Sequence, residues 1–420
     1  MPEIVRQFSH GRELADAAQR LRAQALAREL SPAQVIEILE RWGESLRGTE
    51  VDAIPGVPFL KIWLRRGTLE SMVVRELGEE GLRGSWCEEG AARLRAFPLG
   101  LVGHWPAGNI EIQPLLSMSC ALLGGNACLV RVPSGLIRET GLLIDKLAQV
   151  PGGNLLLERI GVASYEHERT DLQFAMAESV DGAMIWGGAE AVKEIRSLPF
   201  PDWARVAVFG PRLSVAAMDG ESWSRDSIAR DDWCRRLARD VWQFDQQACS
   251  SPQMLFLERS AVGDIAEFAR RLTEAFEEEQ ELHPRRTIHA AQTSAICLAR
   301  ATWLLDDATR RAVFPATPDW TLLFGTGATM PTPTQGRTLS VLLVDDLLEP
   351  IARFDGMVQT LGLAIGNRAK EAALAEAAGR KGVDRIVPLG RMHVFGSPWD
   401  GTDLIRPMVR MVRHVAANRD

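Results

Sequence analysis

A chain of 420 residues is too long for one small core and predicts about two or three domains. With 46% apolar and 25% charged residues the composition is that of a soluble globular protein. A net charge of −7, with acids and bases mixed along the chain, excludes an electrostatic footprint for nucleic acid. Met1 to His10 has no apolar core of a signal peptide, so a cytoplasmic location is expected. The run from Pro114 to Val130 is broken by Ser117, Ser119, Gly124, Gly125 and Asn126, so no membrane span is expected. Cys87, Cys120, Cys128, Cys234, Cys249 and Cys297 show no spacing of a zinc site or disulfide framework. No metal is expected, and the apolar contexts of Cys120, Cys128 and Cys297 predict core residues.

In chain order, residues 13–30 read as a helix, and Ser31-Pro32 opens a second, with Gln34 placed to complete a capping box. Glycines 67, 78, 81, 84 and 90 punctuate residues 67–97, where strands or a hairpin are expected. From Leu99 the rhythm becomes strand–helix–strand. Strands are expected at 99–105, 127–132, 183–186 and 206–209, with helices at 115–123, 136–149 and 189–197. A helix at 227–244, carrying Ile228, Trp233, Leu237 and Val241 on one face, leads to a cysteine segment. Beyond it come a strand at 254–257, a helix at 261–281 and strands at 320–324 and 339–344.

Strands alternating with crossover helices predict an α/β fold with parallel doubly wound sheets, which bind ligands at the carboxyl ends of their strands. Two such domains are expected. The first spans residues 1–216, including the N-terminal helical segment, and the second spans 217–398. A tail at 399–420 would pack back or mediate oligomerisation.

Three stretches carry candidate chemistry, and a fourth is set aside. Gln246-Gln247-Ala248-Cys249-Ser250-Ser251-Pro252-Gln253 sets one thiol among small and polar residues between a helix and a strand, where a thiolate can be favoured and exposed. The competing reading is a buried, inert cysteine. Trp186-Gly187-Gly188 ends a strand and opens a helix. The glycines would let a pyrophosphate approach unpaired N–H groups, or would simply make a tight turn. In His104-Trp105-Pro106-Ala107-Gly108-Asn109 the amide of Asn109 can donate to an oxyanion, or else cap the next helix. Gly325-Thr326-Gly327-Ala328 lacks a third glycine and runs into prolines, so it is set aside as a dinucleotide motif.

The order of these stretches, with Gly125-Asn126 and Leu129-Val130-Arg131-Val132-Pro133-Ser134 between them, resembles the aldehyde dehydrogenase superfamily over roughly residues 97 to 400. The segments at 103–109, 183–188, 209–212, 247–253, 385–390 and 398–401 are similar to one branch, the long-chain acyl-CoA reductases of bacterial bioluminescence. That resemblance implies an aldehyde dehydrogenase-like fold, Cys249 as nucleophile and Asn109 as oxyanion donor. It also implies a nicotinamide cofactor held by Arg131, Ser134, Gly187 and Gly188.

Two departures bear on the reaction. Hydrolytic relatives carry a water-activating Glu where Val208 stands, so an acyl-enzyme here would be spared hydrolysis. Gly135 stands where NAD-preferring relatives often have Glu, so a 2′-phosphate is tolerated and Arg131 or Arg138 could pair with it. NADPH is therefore expected, with NADH as the alternative cofactor.

The implied reaction reduces a fatty acyl-CoA, or an acylated partner protein of the acyl-protein synthetase type, to the aldehyde. Aldehyde oxidation and a non-reducing acyl-binding scaffold are the alternatives. The family implies a homo-oligomer. His104 and His393 are candidates for the missing acid and base.

Overall fold

Apolar runs without alternation, such as Ala127 to Val130 and Ala183 to Ile185, characterise strands covered on both faces. In the computed structural model, which describes residues 5–224, 226–261, 265–285, 288–306 and 310–416, both runs form buried central strands. The chain divides into two compact units. One comprises residues up to Pro211 together with those from Phe395 onward, and the other runs from Arg212 to Val394. The expected boundary after residue 216 falls inside a strand, Leu213–Met218. The change of unit lies instead at Pro211-Arg212, in the non-strand link between Arg205–Phe209 and that strand. The expected tail belongs to the first unit from Phe395 on, and its last residues, 417–420, lie outside the described residues.

The first unit holds a parallel six-stranded sheet in the order Val5–Arg6, Ile160–Ala163, Ala127–Arg131, Leu101–Trp105, Gly182–Trp186, Arg205–Phe209. From Leu101–Trp105 the chain winds outward through two strands on one side. It then returns to lay Gly182–Trp186 on the other. The topological switch point is therefore the crevice between Leu101–Trp105 and Gly182–Trp186. Helix Pro32–Ser45 starts with the predicted capping box, Ser31 bonding Gln34 reciprocally.

Residues 67–97 differ from expectation in their first half, which is a helix, Arg66–Arg83. Leu69, Met72, Val73 and Glu76 make its buried stripe, while Gly78 (φ 79°) interrupts the helix without ending it. The second half is the expected hairpin, Cys87–Glu89 with Ala92–Pro98, turning at Gly90 (φ 59°). The far side of Ala92–Pro98 pairs antiparallel with Val409–Val415, making a three-stranded sheet.

The second unit holds seven strands in the order Arg311–Val313, Thr321–Thr326, Thr338–Val344, Pro252–Glu258, Leu213–Met218, Val358–Ala364, Arg385–Pro388. All pairs are parallel except the first. Helix Ser227–Trp242 buries Leu237 and Val241 as predicted, but Ile228 in its first turn is 81% exposed. The helix expected from Ala261 is described over Ile265–Leu282, and residues 262–264 lie outside the described residues. Cys120 and Cys128 are buried, whereas Cys297 is exposed. Its helix, Ala290–Asp306, buries only the stripe Ile296, Arg300 and Trp303, and Cys297 falls off that stripe. Among the described residues, no helix is long and apolar enough to cross a membrane.

Candidate active site

Three adjacent parallel strands of the first unit end on one edge, so the loops after Trp105, Arg131 and Trp186 share the carboxyl side of the sheet. Gly108 lies against Pro133, and a Cβ on it would stand 3.6 Å from the proline Cβ. This brings the Asn109 loop to the Pro133-Ser134 turn. Asn109 is exposed and does not occupy the cap of the next helix, Gln113–Leu123, whose cap position is Ile112. The loop is held instead by Gln113, whose Oε1 accepts from the Ala107 N–H at 2.7 Å. The capping alternative for Asn109 is thereby set aside.

Trp186-Gly187-Gly188 forms the predicted strand–turn–helix. Gly188 is the N-cap of Ala189–Arg196 and offers no side chain to its N–H groups. A Cβ built on Gly188 would meet nothing within 4 Å, so the space before this helix end is open. Arg131 ends its strand half-buried, with its guanidinium over the Tyr165 ring at 5.5 Å and its Nε buried without a partner. Arg138 is spent elsewhere, on an exposed pair with Glu50 at 3.1 Å. Ser134 and Gly135 are exposed at the start of a 3-10 turn, and a Cβ at Gly135 would also meet nothing within 4 Å. An open helix N-terminus, a buried arginine Nε without a partner and an exposed hydroxyl are groups suited to a phosphorylated ligand.

Beneath the glycine turn, the Trp186 indole N–H donates to Ser117 Oγ at 3.0 Å, and Ser117 Oγ lies 2.7 Å from His104 Nδ1. His104 is fully buried, and burial holds its pKa down to about 3. A ring that stays neutral in the sheet interior does not act as an acid or base for substrate. Trp186 also stacks on Phe209 at 3.8 Å and 12°, and Phe395 bridges towards Trp63 and Trp399 at 4.6 and 4.4 Å.

Cys249 belongs to the second unit, just before the central strand Pro252–Glu258 and therefore at the amino edge of that sheet. The Ser251 N–H donates to the Ala248 carbonyl at 2.9 Å, so Cys249 and Ser250 are the two central residues of a turn. Cys249 is half-buried, and its carbonyl accepts from Ser214 Oγ at 2.6 Å. The run before it, Phe244-Asp245-Gln246, has left-handed backbone at φ 55°, 53° and 61°. Such a conformation costs a non-glycine residue about 1–2 kcal/mol.

Side chains hold this run in place. Gln246 accepts from the Thr338 N–H at 2.7 Å and donates to the Thr338 and Pro252 carbonyls at 2.8 Å each. Asp245 pairs with Arg337 at 2.6 Å. His393 Nδ1 lies 2.9 Å from Ser250 Oγ, and His393 Nε2 lies 2.7 Å from the Asp240 carbonyl.

The structure thus gathers Asn109, Arg131, Ser134, Gly187 and Gly188 on one edge of the first sheet, while Cys249 stands in the second unit. The bracing roles of Gln246 and Ser214 and the pairing of Ser250 with His393 were not visible in the sequence. The last two residues are 143 apart in the chain, and no local pattern links them. Among the described residues, no group of three or more His, Cys, Asp or Glu is placed to hold a metal ion.

A family model described as "Acyl-CoA reductase (LuxC)" matches residues 18–414. The long-chain acyl-protein thioester reductase of Vibrio harveyi is 24% identical over 367 residues, 84% of this chain and 72% of that protein. Its counterpart from Photorhabdus luminescens is 24% identical over 359 residues, covering 84% and 71%. Among solved structures, aldehyde dehydrogenase 21 of Physcomitrella patens aligns with a TM-score of 0.73 at 12% identity, covering 98% of this chain and 92% of that one. Glyceraldehyde-3-phosphate dehydrogenase of Methanocaldococcus jannaschii, complexed with NADP, aligns at 0.69 and 12% identity, covering 97% and 95%. The fold is aldehyde dehydrogenase-like.

Proposed function

Because the chain belongs to the LuxC family of acyl-CoA reductases, we propose that it reduces a long-chain acyl thioester to the aldehyde, using NADPH and an acyl-enzyme on Cys249. The observation that carries this reading is the turn centred on Cys249 and Ser250, braced against neighbouring strands by Gln246 and Ser214. A braced turn offers a thiol together with backbone N–H groups, the equipment acyl transfer needs. The acyl donor is an acyl-CoA or, as the names of the relatives suggest, an acylated partner protein.

The Cys249 thiolate adds to the thioester carbonyl, forming a C–S bond and an oxyanion. The Cys249 backbone N–H stabilises that charge. Collapse breaks the donor's C–S bond and expels its thiolate, leaving the acyl group on Cys249. In sequence, Val208 stands at the position of the water-activating Glu of hydrolytic relatives, and without that base the acyl-enzyme persists. When bound, NADPH would supply the hydride that takes the acyl carbon to the aldehyde level, and the C–S bond to Cys249 then breaks, releasing the aldehyde and returning the thiolate. Arg131 would hold the 2′-phosphate, Ser134 the ribose, and the N–H groups after Gly187-Gly188 the pyrophosphate. In this reading the first unit holds the cofactor and the second carries the nucleophile.

The test is intact mass spectrometry after mixing with acyl-CoAs of increasing length and no NADPH. The wild type should gain one acyl mass and Cys249→Ala none, and NADPH should discharge the adduct as aldehyde. An adduct of equal yield on Cys249→Ala would overturn the assignment.

A further inference from the structure

His393 is a buried titratable group for which the proposed reaction has no use as an acid or base. Its hydrogen bonds define its state. A backbone carbonyl only accepts, so the contact with the Asp240 carbonyl requires a proton on Nε2. Burial holds the pKa down to about 4, so the ring is neutral and Nδ1 is left as an acceptor. The Ser250 hydroxyl therefore donates to Nδ1.

His393 is itself fixed from several sides. The Asp240 carboxylate accepts from the Gly390 N–H at 2.6 Å, tying the segment before His393 to the helix that leads into the cysteine loop. Arg385 donates to the Met392 and Val394 carbonyls, on either side of the histidine. The Phe244 ring, in the left-handed run, packs edge-on against the imidazole at 5.5 Å. The peptide joining Cys249 to Ser250 is thus held twice, by Ser214 on the Cys249 carbonyl and by His393 on the Ser250 side chain.

We infer that His393 is a positioning residue: through Ser250 it fixes the turn that presents the Cys249 backbone N–H to the oxyanion. The inference rests on the acyl-enzyme reading above and adds a component that the motifs of the chain do not contain. It separates two reactions of the same thiol. Acylation passes through an oxyanion and needs the oriented N–H, whereas alkylation by iodoacetamide displaces iodide from an sp3 carbon and needs only the thiolate.

The experiment measures both rates at Cys249 by peptide mass spectrometry. The exposed Cys87 and Cys297 serve as internal references for alkylation. Ser250→Ala and His393→Leu are each expected to slow acylation about tenfold, the loss of about 1.4 kcal/mol of transition-state stabilisation, while Cys249 alkylation stays within about twofold. His393→Asn, whose Oδ1 keeps an acceptor for the Ser250 hydroxyl, should recover most of the acylation rate. Undiminished acylation in Ser250→Ala, or an equal fall in both reactions, overturns the inference. A wild type that forms no adduct at all overturns the acyl-enzyme reading and this inference with it. An adduct on wild type with normal rates in the variants overturns the inference alone.

Discussion

Glu76 offers a quantitative test of how the first unit is closed. Its carboxylate sits on helix Arg66–Arg83 with only 2% of the residue exposed. Its Oε1 accepts from the Leu404 N–H at 3.1 Å and from the Ser397 hydroxyl. Its Oε2 accepts from the N–H groups of Ile405 and Arg406 at 2.7 and 2.8 Å. Glu76→Ala removes all of these acceptors at once. Leu404 and Ile405 are fully buried, so their orphaned amides find no water. At about 1–3 kcal/mol for each buried unsatisfied donor, the variant should lose about 2–6 kcal/mol. Glu76→Gln keeps one oxygen, enough for Ile405 and Arg406, and should lose only about 1–2 kcal/mol. Urea unfolding of both variants measures the difference, and hydrogen exchange over residues 397–406 should show the loss locally. A Glu76→Ala variant within about 1 kcal/mol of wild type would refute the claim that this carboxylate holds the segment.

Arg131→Leu should raise KM for NADPH about tenfold or more and leave KM for NADH nearly unchanged, since a charge-assisted contact is worth about 1.5–3 kcal/mol. Arg138→Leu should change neither, because Arg138 is paired with Glu50. Equal losses for both cofactors in Arg131→Leu would assign that residue to a part they share. Acid stability follows from the buried imidazoles. His393 titrates near 4 in the folded chain against 6.5 when unfolded, so the unfolded state binds more protons between those values. Its contribution is intact above pH 6.5 and falls by about 3 kcal/mol as pH drops to 4. Asp240, pushed up to about 7 by burial, works in the opposite sense, its contribution being lost as pH rises towards 7. Urea unfolding between pH 4 and 6.5 should show a shallower loss of stability on acidification in His393→Asn than in wild type. An unchanged slope would exclude the neutral buried imidazole.

Elements punctuated by strong local chemistry were legible in the chain. Ser31, Pro32 and Gln34 announce a helix start, and Gly187-Gly188 separates a strand from a helix as the βα turn requires. Helix Arg66–Arg83 was not legible. Three internal glycines argue against it, and its buried stripe ends in a carboxylate whose partners lie more than 320 residues away. The cysteine loop stood out in the chain by composition, but its structure was not legible, because nothing local predicts three left-handed residues stabilised by Gln246 and Arg337. Likewise His104, conspicuous beside Pro-Ala-Gly-Asn, proved to be interior, whereas His393 stands one hydrogen bond from Ser250, the residue after Cys249.

The pairing of Ala92–Pro98 with Val409–Val415 sets a schedule for synthesis. A ribosome delivers the whole second unit, Arg212 to Val394, before it delivers the strand that covers one side of Ala92–Pro98. Until then the first unit carries an unpaired strand edge, the kind of surface that recruits wrong partners. A nascent chain stalled within the second unit is therefore exposed through the first. Val409–Val415, made after the second unit, closes the unit begun before it.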